Sequence, residues 1–427
     1  MAGHVLMAAY GLLFMVAAFF FNTPQEVLTG FHSILISPSQ LSTDYMALTN
    51  VGATLFNSGL MTVLGALLLM VSRTPANAIS FAVLFTVMGF SCFGKNPFNA
   101  TPIVLGVFLF TRFMRIPFRE KATASLYATG LGPLVSALAF STGLPPALAL
   151  ALSFAVGLLV GFILPPLMTA FMRFHQGYCL YNAGFVNGIV GTVFIAVLAH
   201  IGFTIPPMAL DYRGSSVGLA VLLSLLFGSQ MLIGLKLQGG SLRAAYGRLM
   251  RSSGRAVTDF TVQYGPGLSL FNMGVCGFMG MGYALLLGGQ LNGAIFSCIM
   301  KMTGYGSYGK HPRNVTPVML GVLLMNLVTG HNPGTTGAVL AALFGTSLAP
   351  IAGQFGLFAG LLAGALHATL GRAVGVLHAG VMLYNNGFAA GVVAVFMLPW
   401  LELLEERGWL PGRFGRQPLN LGGDGKK

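Results

Sequence analysis

A stretch of thirteen residues occurs twice in this chain, 215 positions apart. Residues 94–106 are Gly-Lys-Asn-Pro-Phe-Asn-Ala-Thr-Pro-Ile-Val-Leu-Gly, and residues 309–321 are Gly-Lys-His-Pro-Arg-Asn-Val-Thr-Pro-Val-Met-Leu-Gly. A lysine, an asparagine, a threonine and two prolines therefore recur in register between strongly apolar segments. The chain is a duplication in which each half carries a proline-interrupted polar element. In membrane proteins, such a pair of interrupted segments is the best sequence indicator of a transport site.

The composition predicts that lipid rather than water covers most of this chain. Of its 427 residues, 55% are hydrophobic and 7% are charged, whereas soluble domains carry about 25% charged residues. The apolar runs, such as 147–168, are continuous rather than alternating, which favours helices over a β-barrel. We predict an all-α polytopic membrane protein with the lipid bilayer as its partner. The net charge of +13 lies largely in short loops, so we predict no nucleic-acid partner.

The repeats predict the domain organisation. Motifs recur at a spacing of 215 residues early in each half and of 203 later, which gives repeat 1 over 1–203, repeat 2 over 204–402 and a polar cytoplasmic tail over 403–427. Each repeat offers about seven hydrophobic segments. Those beside the opening motif are shorter than the roughly 20 residues of a full span. We therefore expect some of them to be half-helices or re-entrant elements.

The placement of Lys and Arg predicts that the two repeats have inverted topology. Four basic residues lie in 112–121, but the equivalent loop 330–336 has none, and the same contrast separates 236–255 from 23–43. Equivalent loops therefore lie on opposite sides of the membrane.

The same alternation puts both termini and nineteen basic residues in the cytoplasm. It leaves only Lys95, Arg213 and Arg372 outside. A retained first helix, with no cleavage site, completes the prediction of a multi-pass protein of the bacterial cytoplasmic (inner) membrane.

The repeated polar element offers candidate pore-lining groups. Proline breaks the helical ladder, and irregular backbone at membrane depth is tolerated where it is buried or lines a cavity. The freed carbonyls could line a wet passage with the side chains of Asn96, Asn99, Thr101, Asn314 and Thr316. The alternative is a tight interhelical turn at the membrane interface.

A second repeated motif, Leu-Phe-Asn-x-Gly, lies inside long apolar segments. Asn57 and Asn272 need a partner or water there, because an unpaired buried amide is costly. They either line the passage or join helices by hydrogen bonds. Phe56 and Phe271 could form constrictions, or they could simply face lipid.

A third motif, Tyr-Asn-x-Gly-Phe-x-x-Gly, begins at Tyr181 and again at Tyr384. It resembles the Gly-Tyr-Asn-x-x-Leu-x-Gly stretch of urea transporters, which also consist of two inverted repeats with tilted half-helices around a pore. The resemblance implies pore-lining positions for both tyrosines and for Asn182 and Asn385. As a whole, the sequence looks like a bacterial family of duplicated polytopic membrane proteins from which no activity carries over.

Two pairs of ionisable residues also recur. Asp44 and Asp259 could cap helices or couple transport to an ion. His175 and His378 could shuttle protons or bind a cation, or they could be plain interfacial histidines. Inverted repeats would hold these histidines toward opposite faces, so we predict no metal site.

Nothing in the sequence predicts catalysis. No hydrolytic triad, zinc-binding or nucleotide-binding motif occurs, so we predict neither an enzyme nor a cofactor. Our leading hypothesis is a channel or facilitator for a small polar solute, neutral and urea- or ammonia-like, through a pore at the repeat interface. The alternatives are an H⁺- or Na⁺-coupled secondary transporter and a membrane scaffold or sensor that moves nothing. The 59 glycines permit close packing within one chain or within a homo-oligomer.

Overall fold

The computed structural model describes residues 2–41, 43–205, 208 and 210–410. Within these residues the fold is helical, with no strand and one isolated bridge between Thr43 and Leu210. The predicted tail lies outside the described residues from position 411 onward. This is the all-α polytopic fold that the composition predicted.

The first half contains ten α-helices. Many of them begin at a polar N-cap, as at Asn50, Asn77 and Asn96, whose side chains accept from backbone N–H groups of the first turn. In chain order the helices are α1 (Ala2–Phe21), α2 (Pro24–Leu35), α3 (Tyr45–Leu48), α4 (Val51–Val71), α5 (Ala78–Phe90), α6 (Pro97–Phe113), α7 (Ala122–Ala128), α8 (Gly132–Phe140), α9 (Pro146–His175) and α10 (Asn182–His200).

The described part of the second half contains ten more, and each corresponds to the helix ten places earlier. They are α11 (Val217–Leu237), α12 (Leu242–Leu249), α13 (Phe260–Gln263), α14 (Pro266–Leu286), α15 (Gly293–Tyr305), α16 (Pro312–Val328), α17 (Thr336–Gly345), α18 (Ala349–Phe355), α19 (Leu357–Ala373) and α20 (Asn385–Glu406). Short 3₁₀ helices lie at Phe118–Glu120, Thr129–Leu131, Thr346–Leu348 and Val374–His378.

Each half has five helices long and apolar enough to cross a membrane, among the ten found in the described residues. The segments α7–α8 and α17–α18 each form one such span, broken by the 3₁₀ turns Thr129–Leu131 and Thr346–Leu348. The remaining two predicted segments of each half are the shorter helices α5 and α6 or α15 and α16. At 1.5 Å per residue, α5 is about 20 Å long, which is less than a bilayer core. Five spans and a hairpin of two short helices therefore make up the seven segments that we predicted for each half.

The repeated motif forms the turn of this hairpin and the start of its second helix. Gly94 and Gly309 have φ angles of 99° and 105°, in the left-handed region where glycine has no steric penalty. Pro97 and Pro312 stand in the first turn of α6 and α16, where a missing N–H costs nothing. The helices therefore begin at the first proline of each motif, and the later prolines, Pro102 and Pro317, lie inside them.

The two halves meet along α5 and α15, which run antiparallel. A Cβ placed on Gly89 would lie 2.8 Å from the Ser297 backbone, and one on Gly304 would lie 2.5 Å from the Phe85 Cβ. A second contact joins α10 and α20, where a Cβ on Gly184 would lie 2.9 Å from the Gly387 Cα. Equivalent helices in antiparallel contact require a two-fold axis perpendicular to them, as inverted repeats have.

Candidate functional site

Two asparagines inside the long helices α4 and α14 hold the hairpin turns in place. Asn57 Nδ2 donates to the Ser91 and Lys95 carbonyls at 2.7 and 2.9 Å. Asn272 does the same for Gly306 and Lys310 at 2.7 Å each. Both side chains are fully buried. These asparagines therefore lie between helices, where they donate to carbonyls that the ends of the short helices leave without a partner.

The polar residues of the opening motif bond to backbone near them. Asn99 and Asn314 donate to the Gly94 and Gly309 carbonyls at 2.9 and 2.8 Å. Asn96 donates to the Ile34 carbonyl at 3.0 Å.

The two threonines of this motif bond within their own helices. Thr101 and Thr316 donate to the carbonyls of Pro97 and Pro312 at 2.6 Å. The structure brings the motif's five polar side chains together only in two separate groups, one at each hairpin. Their predicted pore-lining role stays a prediction.

The two aspartates cap helices, each with one oxygen across the repeat interface. Asp44 Oδ1 accepts from the Met46 N–H at 2.9 Å, and its Oδ2 accepts from the N–H of Gly293, the first residue of α15, at 2.9 Å. Asp259 accepts from the N–H of Thr261 in its own half at 2.8 Å and from the N–H of Ala78, the first residue of α5, at 3.3 Å. Each half therefore supplies the anionic cap for the short central helix of the other half.

Three lysines that the charge distribution placed on one or the other side of the membrane lie in the buried core. Lys95 and Lys310 are fully buried and Lys301 is 1% exposed. The assignment failed because α5–α6 and α15–α16 turn back inside the protein. Their partners among the described residues are uncharged: a carbonyl for Lys95, two hydroxyls for Lys310 and aromatic rings for Lys301.

Aromatic rings from both halves surround the Lys301 ammonium. Its Nζ lies 3.5 Å from the ring centroid of Tyr181 and 4.1 Å from that of Tyr384. The rings of Phe90, Phe344 and Tyr305 follow at 5.1, 5.5 and 5.9 Å. Ring faces attract cations. We call these five rings and the three lysines the central cluster.

The lysines at the two hairpin turns differ in their partners. Lys310 Nζ donates to the Tyr181 hydroxyl at 2.5 Å and to Thr346 Oγ1 at 2.6 Å. Lys95 Nζ reaches one acceptor, the Leu126 carbonyl, at 3.4 Å. The Tyr384 hydroxyl, equivalent to that of Tyr181, has no hydrogen-bond partner among the described residues.

A cavity of about 790 Å³ leads toward this cluster from one face. Its rim includes the exposed residues Arg213 and Arg372, and its floor includes the buried residues Phe93, Phe344 and Leu383. Phe344 is one of the five rings around Lys301. We call this cavity the large vestibule.

A second cavity, of about 270 Å³, is the symmetry equivalent of the first. Its floor includes Tyr127, Leu180 and Tyr308, which correspond to the floor residues of the large vestibule. Tyr127 accepts a hydrogen bond from the Tyr305 hydroxyl at 3.0 Å, and Tyr305 is another ring of the cluster. We call this cavity the small vestibule. Because the halves are inverted, the two vestibules face opposite sides of the protein.

The asparagines of the third motif line these vestibules. Asn385 borders the large vestibule and Asn182 the small one. The Oδ1 of each accepts a hydrogen bond at 2.9 Å from Nε2 of the paired histidine, His378 or His175. The histidines therefore orient the asparagines, one in each vestibule.

The other predicted residues lie away from the cluster. Phe56 packs edge-on against Phe31 and Phe271 against Tyr246, at centroid distances of 5.3 and 5.4 Å. In the described part of the chain, no group of three or more His, Cys, Asp or Glu residues could hold a metal ion.

Sequence reasoning missed the lysines, although a signal for them was present. Lys95 and Lys310 recur inside the most obvious repeated motif, and Lys301 stands within the apolar segment 291–305. An ionisable residue inside such a segment is by itself an indicator of function.

Comparisons with known proteins identify a family and no activity. No curated protein and no solved structure matches the chain, so the resemblance to urea transporters has no support from them. A family model described as "Protein of unknown function (DUF1576)" matches residues 23–200 and 240–403. The two matched regions fall one in each half, in keeping with a duplication. Together they cover most of the sequence, and the chain belongs to the DUF1576 family.

Proposed function

We propose that this membrane protein transports a small solute between the two vestibules, through the central cluster at the repeat interface. The observation that carries the proposal is the pair of equivalent cavities on opposite sides. Both end on rings that belong to one cluster. Substrate sites of transporters built from inverted repeats lie at such an interface, beside interrupted helices. The chain would do this in the bacterial cytoplasmic membrane and without catalysis.

A carrier with alternating access fits this geometry better than the open channel that the sequence favoured. Between the vestibule floors lies a packed cluster of rings, and the two cavities differ in volume, about 790 against 270 Å³. If the two halves rock against each other, they would exchange their arrangements, so that the small vestibule opens and the large one closes. A facilitator for urea or ammonia remains the second candidate, favoured by the uncharged asparagines Asn182 and Asn385 in the vestibules.

Cysteine labelling in proteoliposomes tests this route. The four native cysteines are all buried, so the background reaction with a charged thiol reagent should be low. The variants Leu340→Cys and Thr123→Cys place a thiol at equivalent half-buried positions of the large and small vestibules. Thr29→Cys, on an exposed part of α2, is the matched control.

We expect reagent at one membrane face to block solute uptake through Leu340→Cys and reagent at the other face to block Thr123→Cys. An imposed solute gradient should raise one labelling rate and lower the other if the halves rock. Uptake from a panel of urea, methylammonium, acetate, nitrate and phosphate provides the readout. A channel would show labelling of both positions independent of the gradient. If no solute in the panel crosses, or if labelling blocks nothing, the proposal is wrong and the scaffold hypothesis gains.

A further inference from the structure

We propose that the central cluster binds a small anion, held by Lys95, Lys301 and the hydroxyl of Tyr384. This inference names the solute class for the proposed function and rests on it for the route of access. It departs from the neutral solute that the sequence favoured, because the sequence did not predict that these lysines lie in the core.

Within the part of the chain that the structure describes, three hydrogen-bond donors in this part of the core, the amines of Lys95 and Lys301 and the hydroxyl of Tyr384, lack a strong acceptor. Among the described residues, we find no acceptor for Lys301 Nζ, whose neighbours are ring faces. Lys95 has only the Leu126 carbonyl, which already accepts from Thr129 Oγ1 at 2.6 Å. Tyr384 is 2% exposed and its hydroxyl is unpartnered. A group with several lone pairs and no protons to donate would satisfy all three, which describes an anion.

The charge balance favours the same ligand. An ammonium group buried without a counter-ion is costly, and the partners of these lysines among the described residues are a carbonyl, two hydroxyls and aromatic rings. Ring faces around Lys301 offset part of this cost. A bound anion would offset more of it, whereas a cation such as ammonium would be repelled by all three lysines.

The broken symmetry of the cluster indicates where the anion sits. On the side of the second hairpin, Lys310, Tyr181 and Thr346 satisfy one another. On the side of the first hairpin, the equivalent hydroxyl of Tyr384 and the amine of Lys95 do not meet. Two of the unsatisfied donors, Lys95 and Tyr384, therefore lie at the half of the cluster that contains the first hairpin, and Lys301 lies between the rings of Tyr181 and Tyr384.

The large vestibule also favours entry of an anion. Arg213, His331 and Arg372 line it on the exposed side. The vestibule also contains two carboxylates. Asp44 is buried and accepts from the Gly293 N–H, and the exposed Asp211 accepts from Asn292 and from Thr336, at 3.2 Å each. The two exposed arginines outnumber the one exposed carboxylate, and this excess of positive charge at the rim favours anions over cations.

Anion-dependent thermal stability of the purified protein tests the inference directly. Nitrate, chloride, acetate and inorganic phosphate are each titrated as sodium salts at constant ionic strength, with the bulkier gluconate as the reference. A ligand that binds only the folded state raises Tm with its concentration. We expect a saturable rise for at least one of the four anions. Lys301→Met should weaken the apparent affinity about tenfold or more, since a charged hydrogen-bond donor is lost. Lys236→Met, at an exposed position, should leave the affinity unchanged.

Tyr384→Phe is the second variant, in case Lys301→Met fails to fold. It removes only the unpartnered hydroxyl and should weaken anion affinity several-fold. If no anion raises Tm beyond gluconate, or if all variants respond as the wild type does, the inference is wrong. Uptake of urea without any anion binding would overturn this inference and leave the proposed function standing. Anion binding without uptake of any solute would support this inference and overturn the transport proposal.

Discussion

At the second hairpin, Lys310 donates to a tyrosine and a threonine at 2.5 and 2.6 Å. At the first hairpin, the equivalent Lys95 reaches one carbonyl at 3.4 Å, and the equivalent tyrosine hydroxyl is unpartnered. The outer parts of the two hairpins, by contrast, match closely: Asn57 and Asn272 hold the same two carbonyls of each turn. The two halves are alike in the contacts that hold the backbone of the hairpin turns, and they differ in the lysine contacts at the interface between them.

The two copies also differ in the identity of one residue on their central helices. Thr86 of α5 stands where α15 has Lys301, 215 positions on. Thr86 donates to the Ala82 carbonyl of its own helix, whereas Lys301 extends among rings of both halves. An exact two-fold site would carry either two such lysines or none. Lys301 alone therefore makes the two halves of the core offer different groups to a bound solute.

The largest expected effect comes from the parts that match. In Asn57→Leu, the Ser91 and Lys95 carbonyls lose their partner, and each unpaired buried acceptor costs about 1–3 kcal/mol. We expect the free energy of unfolding in detergent to fall by about 2–5 kcal/mol. Asn272→Leu should cost about 1 kcal/mol more, because Asn272 Oδ1 also accepts from the Tyr246 hydroxyl at 3.0 Å. Equal stability of either variant and the wild type would contradict the role of these asparagines.

The aspartate caps give the next effect, and it depends on pH. Burial raises the pKa of Asp44 to about 6, although N–H donation from Gly293, Met46 and Tyr212 lowers it. The folded state therefore binds a proton more tightly than the unfolded chain, whose aspartate titrates near 4. The contribution of this carboxyl group to stability is fully present below about pH 4 and should be lost, by about 3 kcal/mol, as the pH rises through 6.

Denaturant unfolding at several pH values measures this slope. Asp44→Asn should remove it, and Asp259→Asn, which keeps Asp44, should retain it. The same pair of variants separates a cap from a coupling site. If uptake by the wild type needs an ion gradient and Asp44→Asn abolishes that need, the residue couples transport as well as capping helices.

The sequence predicted the features that repeat locally. The duplication, the inverted halves and the short interrupted helices all follow from spacing, from apolar length and from the distribution of Lys and Arg. The caps that each aspartate supplies to a helix of the other half could not be predicted, because Asp44 and Asp259 bond to residues 249 and 181 positions away. Lys95 follows turn residues and therefore resembles a loop lysine at the membrane surface. Only the packing of α5 against α15 shows that this turn lies in the core.

The tyrosines of the third motif test the difference between the halves. Tyr181→Phe removes a hydroxyl that accepts from Lys310, and we expect a loss of about 1–2 kcal/mol of unfolding free energy. Tyr384→Phe removes an unpartnered hydroxyl and should change stability by less than about 0.5 kcal/mol while weakening anion binding. Thermal unfolding with and without nitrate measures both. If Tyr384→Phe proved less stable than Tyr181→Phe, the difference between the halves would not lie in the hydrogen bonds of these two hydroxyls.

The smallest effect concerns Thr101 and Thr316, for which the sequence predicted a pore-lining role. Both hydroxyls donate to the carbonyl four residues earlier in their own helices, and Thr101 is exposed on the protein surface. Since neither borders a vestibule, Thr101→Val and Thr316→Val should change stability by about 0.5 kcal/mol or less. Solute uptake in proteoliposomes should stay within about twofold of the wild type. A larger loss of uptake in both variants, with stability unchanged, would move the solute path away from the central cluster and toward the proline-bearing helices α6 and α16.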